Sequence, residues 1–283
     1  MNKLELLSLR SKAKLGDKEA LFEFGQCYYF GIGVNHDLNE AYKLIKQSAD
    51  KGMSDAEHFV KENFVVSPNG AISLTDGAKE VYDSVNKLMA ASEAGDPMAQ
   101  WMRGYGKLNE ESSDFMYNKG LEWVKKSAAQ DFPPAQFSLG VEYFKGTRIK
   151  GKTEEGKSLV RQAAQRLWMP AIKFIAQYFS YQEALPLLEK KVEEGEDAEA
   201  FGMLGLAYLN GTIVKQDVDK GMKLISQGAD KGDEIAMFNL ATIYETGEYG
   251  IEKDVQKAKS LFERCAKEGD TDAINHLRNI ERG

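Results

Sequence analysis

Residues 135–149 read AQFSLGVEYFKGTRI, and the same frame returns as ALFEFGQCYYFGIGV from Ala20, AFGMLGLAYLNGTIV from Ala200 and AMFNLATIYETGEYG from Ala236. Each copy opens on Ala, with an apolar residue four on and a Gly or Ala beside it. A Tyr lies three further and a Gly three beyond that. The apolar column is Phe24, Leu139, Leu204 and Leu240; the small one is Gly25, Gly140, Gly205 and Ala241. Tyr28, Tyr143, Tyr208 and Tyr244 follow, then Gly31, Gly146, Gly211 and Gly247. Spacings of three and four without alternation belong to helices, not strands. Copies start at 20, 56, 99, 135, 171, 200 and 236, with a half-copy at 273; the usual interval is 36, against 43 after Ala56 and 29 after Ala171.

Every full copy has a second half, as in NEAYKLIKQSADKG (39–52) and DKGMKLISQGADKG (219–232). Small residues align at Ala41, Gly120, Gly156, Gly221 and Ala258, and Leu44, Trp123, Leu159, Leu224 and Leu261 follow three later. This is a second helix, ended by Gly52, Gly232 or Gly269, since glycine accepts the left-handed conformation of a helix C-terminus. Two helices therefore form a hairpin in which small residues let the backbones approach. One hairpin cannot bury its apolar face alone, so copies must stack.

The pattern resembles the Sel-one-like repeat (SLR) family, a relative of the tetratricopeptide repeats, through A-x-x-x-L-G-x-x-Y-x-x-G, G-x-G-V at Gly31 to Val34, and A-A-x-x-G. The resemblance implies an all-α, right-handed α/α superhelical solenoid of about seven helix pairs. It covers about residues 14–283, and a single domain, 1–283, is expected, with capping helices at 1–16 and 273–283. It also implies a non-enzymatic scaffold, adaptor or regulator that binds another protein. Some bacterial members of the family are immunity proteins against delivered toxins.

Composition agrees with such a class. The chain has 283 residues, 42% apolar and 29% charged, which is neither a disordered nor a membrane composition. Its net charge of -7 argues against wrapping a nucleic-acid backbone and would suit a basic toxin or effector as partner; a signalling protein is the other kind of partner expected. No apolar run is long enough to span a bilayer. Cys27 and Cys265, the two cysteines, read as small buried apolar residues in a reducing, cytoplasmic compartment. No spacing of His, Cys or carboxylates matches a metal or catalytic motif, so no cofactor and no enzymatic activity are expected.

Three segments depart from the frame. FVVSPNGAISLTDGA (64–78) reads as an elongated interhelix loop, with Asn69-Gly70 a good hairpin turn; a projecting element that touches a partner is the alternative reading. NEESSDFMYN (109–118) reads as an acidic, solvated loop. Residues 146–153 satisfy G-x-x-x-x-G-K-[ST], but a phosphate loop follows a buried strand, whereas 135–146 is the first helix of a copy. Nucleotide binding through this segment is the remote alternative. Its basic side chains, Lys145, Arg148, Lys150 and Lys152, read as a solvated loop or a docking point for an acidic partner.

In tetratricopeptide-like arrays the first helices line the concave wall. Positions two, six and nine after the starting Ala give the groove candidates Trp101, Tyr105, Phe137, Val141, Phe144 and Gln177. Aromatic anchors of this kind dominate interface energetics. An aromatic at the second position recurs in four copies, so Trp101 and Phe137 also suit core between copies, which leaves Tyr105 and Phe144 as the better surface candidates.

Overall fold

The computed structural model describes residues 3–108 and 114–282. The chain is an all-α helix-hairpin repeat, as its periodicity predicts, and divides into two compact units, 1–130 and 131–283.

The first unit contains α1 (Lys3–Lys14), α2 (Lys18–Phe30), α3 (Leu38–Asp50), α4 (Ser54–Asn63), the strands β1 (Phe64–Val66) and β2 (Ile72–Leu74), α5 (Asp76–Glu93), α6 (Pro97–Tyr105) and α7 (Asp114–Ala128). The acidic stretch 109–118 lies outside the described residues as far as 113 and is helical from Asp114 onward. The second unit contains α8 (Pro133–Lys145), α9 (Thr153–Gln165), α10 (Met169–Phe174), α11 (Tyr181–Glu194), α12 (Ala198–Asn210), α13 (Val218–Asp230), α14 (Glu234–Thr246), α15 (Val255–Lys267) and α16 (Thr271–Arg282).

The frame explains the hairpins. A methyl group on Gly140 would stand 2.9 Å from the Gly156 carbonyl oxygen and 3.0 Å from the Val160 nitrogen. Only hydrogen fits there, so α8 and α9 meet backbone to backbone. Ile45, Val160 and Ile225, on the second helices, are fully buried. Gly146 ends α8 at φ 64, a left-handed conformation that costs a residue with a Cβ more than glycine. The second helices end in the same conformation, and after α7 and α9 non-glycine residues adopt it: Asp131 and Leu167, each at φ 57. At the other end of α2, α6, α12 and α14 an Asp three before the starting Ala caps the helix, whereas Met53, Phe132 and Trp168 stand there before α4, α8 and α10 and make no side-chain cap bond. Asp17 accepts from the Ala20 N–H at 2.7 Å and Asp96 from that of Ala99 at 2.6 Å, and Asp197 and Asp233 do the same at 3.2 Å.

Two departures are resolved. Segment 64–78 is not simply a long loop: β1 and β2 form an antiparallel hairpin with Phe64 opposite Leu74 and Val66 opposite Ile72. Its turn closes through the Gly70 N–H donating to the Ser67 carbonyl at 2.8 Å, with Gly70 at φ 82. Phe64 is buried among Tyr29, Tyr42 and Phe59, so the base of the hairpin belongs to the core while Val65 and Val66 are exposed. The 29-residue copy has the shortened connection its length requires. Helix α10 runs into a π-helical turn, Ile175–Phe179, and Ser180 alone separates that turn from α11. Seven residues, 146–152, fill the same place between α8 and α9.

Candidate protein-interaction site

In the second unit the first helices of two copies, α8 and α10, bring their aromatic residues together. Phe137 packs edge-on against Phe174, with centroids 5.8 Å apart. Phe144 meets Phe174 at 5.4 Å and Phe179 at 5.5 Å, and Phe174 lies 4.5 Å from Tyr178. Tyr178 is 55% exposed, while Phe144 and Phe174 are half-buried. The cluster forms where the shortened copy lacks an interhelix loop. In two other copies a loop residue closes the end of the hairpin; Val34 and Ile251 each pack onto their own core. Salt bridges join the surrounding helices, α9 to α11 and α10 to α12. Arg161 makes two hydrogen bonds to Glu183, at 2.6 and 3.2 Å, and the Lys173 ammonium pairs with Glu199.

Each groove candidate has a definite place. Phe137 is half-buried between copies. The contact recurs, because the residue two after the starting Ala meets the residue three after the next: Phe22 with Phe59, Phe137 with Phe174, Phe238 with His276. Val141 is half-buried against the same core, and Gln177 is exposed on the π turn. In the first unit, Trp101 lies 5.1 Å from Tyr105 on α6; Tyr105 is 54% exposed, alongside exposed Met98 and Met102. Position nine is core in two copies, where Tyr29 and Leu209 are buried. Phe174 and Tyr178 belong to the cluster but fall outside positions two, six and nine. The signal that locates them is the missing loop.

The basic loop divides. Lys152 donates to Glu155 at 2.8 Å, the main reason its ammonium holds its proton more tightly than usual, and it lies over the Tyr143 ring at 4.6 Å. Lys220 over Tyr208 and Lys257 over Tyr244 repeat this bracket in other copies, so Lys152 serves the frame. Arg148 is exposed and engaged with a neighbour. Lys145 and Lys150 are exposed and form no ion pair among the described residues. Segment 146–153 follows helix α8, so the strand that a phosphate loop requires is not the element before it.

Other reactive groups are committed to packing. Burial pushes the Cys27 thiol up to about 11, and it also raises Cys265. His276 stacks on Phe262 with centroids 4.6 Å apart, and its Nδ1 lies 2.8 Å from a Glu245 carboxylate oxygen. Among the described residues no group of three or more His, Cys, Asp or Glu side chains is placed to hold a metal ion, and no helix is long and apolar enough to cross a membrane.

Comparison with known proteins places this frame. The Sel1 repeat matches residues 18–53, 97–132, 133–166, 200–233 and 235–270, which is more than half of the chain. An uncharacterised protein of Neisseria meningitidis is 22% identical over 219 residues, covering 69% of this chain and 47% of its own length. A DAP3-binding cell death enhancer of Rattus norvegicus is 32% identical over 100 residues, 34% of this chain and 19% of that one. The chain thus spans about half the length of the first of these relatives and less of the second. The crystal structure of a Sel1 repeat protein from Oxalobacter formigenes superimposes with a TM-score of 0.55 at 22% identity, over 97% of this chain and 79% of the other.

Proposed function

The chain belongs to the Sel1 repeat family, whose members generally mediate protein–protein interaction, and from that membership we propose that it is a non-enzymatic scaffold or adaptor that holds a partner protein on the first helices of its repeats. One observation carries the reading. The cluster of Phe144, Phe174 and Tyr178 leaves aromatic surface in the open, above all at Tyr178 on the π turn. Large rigid rings supply contact area at small entropic cost, which is why they anchor interfaces. Trp101 and Tyr105 on α6 are a second anchor of the same kind. Neutralisation of a toxin is the narrower form of this reading, favoured by the net charge of -7, which attracts a basic effector.

A photo-crosslinking residue placed at Tyr178 in living cells tests the proposal, with the exposed Lys190 on α11 as the control site. Specific protein adducts from position 178 and not from 190 are expected. A single adduct with a toxin supports immunity, and several signalling adducts support an adaptor. Adducts of equal yield from both sites contradict the assignment.

A further inference from the structure

The reading above leaves the chemistry of the partner open, and the distribution of charge narrows it. Residues 145–173 contain eight Lys or Arg and two Glu. This short block is therefore net +6 inside a chain of net -7, and the rest of the molecule is strongly acidic. Most of the block's cations are already committed: to Glu155 and Glu154 within α9, to Glu183 and Glu199 on later helices, and to Asp131. Lys145 and Lys150 are not. Lys145 directly follows Phe144 in the chain, and Lys150 lies in the loop that Lys145 leads into. Two ammonium groups with no ion pair among the described residues thus lie at the end of α8 that carries Phe144 and in the loop that follows it.

We propose that this face takes an acidic segment of the partner, with one aromatic or large aliphatic side chain seated on the rings and carboxylates beside Lys145 and Lys150. The proposal rests on the protein-binding reading. Charge complementarity selects the occupant: a basic segment would meet the unpaired Lys145 and Lys150 here and favours other parts of the molecule. Nucleic acid also carries negative charge and bases that stack on rings, but the acidic remainder of the chain opposes a long polyanion.

Isothermal titration of the full chain with three probes decides the matter. These are a short synthetic peptide of Glu and Asp around a central Trp, the same peptide with Lys for every acid, and an oligothymidylate. The acidic peptide should bind at least about tenfold tighter than the basic one, and weaken with salt. Lys145→Glu with Lys150→Glu should reduce that binding about tenfold and Tyr178→Ala by a similar factor, with unchanged circular dichroism, while Lys190→Glu on α11 leaves it alone. Equal or tighter binding of the basic peptide, preference for the oligonucleotide, no binding of the acidic peptide, or indifference to the lysine pair each overturn the proposal. The protein-binding reading is judged separately by the crosslinks from Tyr178. If those persist in the double lysine variant, the charge inference alone has failed.

Discussion

At the scale of single residues, the fold depends on what is too small to push helices apart. Gly140 and Gly156 face each other so closely that either Cβ would enter the other helix's backbone. Gly140→Leu should therefore cost about 1–3 kcal/mol or more as an overpacked site, read as a lowered midpoint in urea. The Asp caps are the counterpart at the helix start: Asp96→Ala should cost about 1 kcal/mol. Both columns are visible in the sequence. The small-residue column stands out because it repeats, whereas the Asp three before the starting Ala escapes notice because it precedes the frame and gives way to Met53, Phe132 and Trp168 in three copies. Cys27 supplies a pH signature. Its thiol ordinarily ionises near 9, and burial moves it to about 11 in the folded chain. The folded state therefore holds that proton more tightly. Its stabilising contribution is complete below pH 9 and is lost as pH rises towards 11. A Cys27→Ala chain should lose less stability across that window, as followed by denaturant melts at several pH values.

At the scale of elements, the helix hairpins are legible because apolar and small residues recur with helical period. The β-hairpin is legible in part: Asn69-Gly70 marks its turn, but nothing local says that Phe64 enters the core of the preceding copy. Phe64→Ala should accordingly cost about 3–5 kcal/mol. Asn69→Ala at the exposed tip, where the Asn69 side-chain oxygen accepts from Ser67 and Ala71, should cost only about 0.5–1.5 kcal/mol. Thermal melts of the two variants would separate a core element from a free loop. The π turn at 175–179 was beyond sequence reading, since a wider helical turn leaves no side-chain period of its own. The shortened copy foretells a short connection, not the form it takes. The interaction candidates were legible only as columns. A residue that packs between copies and one that faces solvent repeat with the same period, so Tyr29 and Leu209 share position nine with Phe144 and yet are buried.

At the scale of the molecule, the account is of a repeat protein with an aromatic cluster around its locally basic segment in an otherwise acidic chain. Its central claim is that the protein acts by holding a partner there. The most direct test is the Kd for the native partner, measured calorimetrically with the unaltered chain and with Phe144→Ala plus Tyr178→Ala. The account predicts a loss of affinity of about tenfold or more, with helicity retained. An affinity that does not change while the variant remains folded would contradict it.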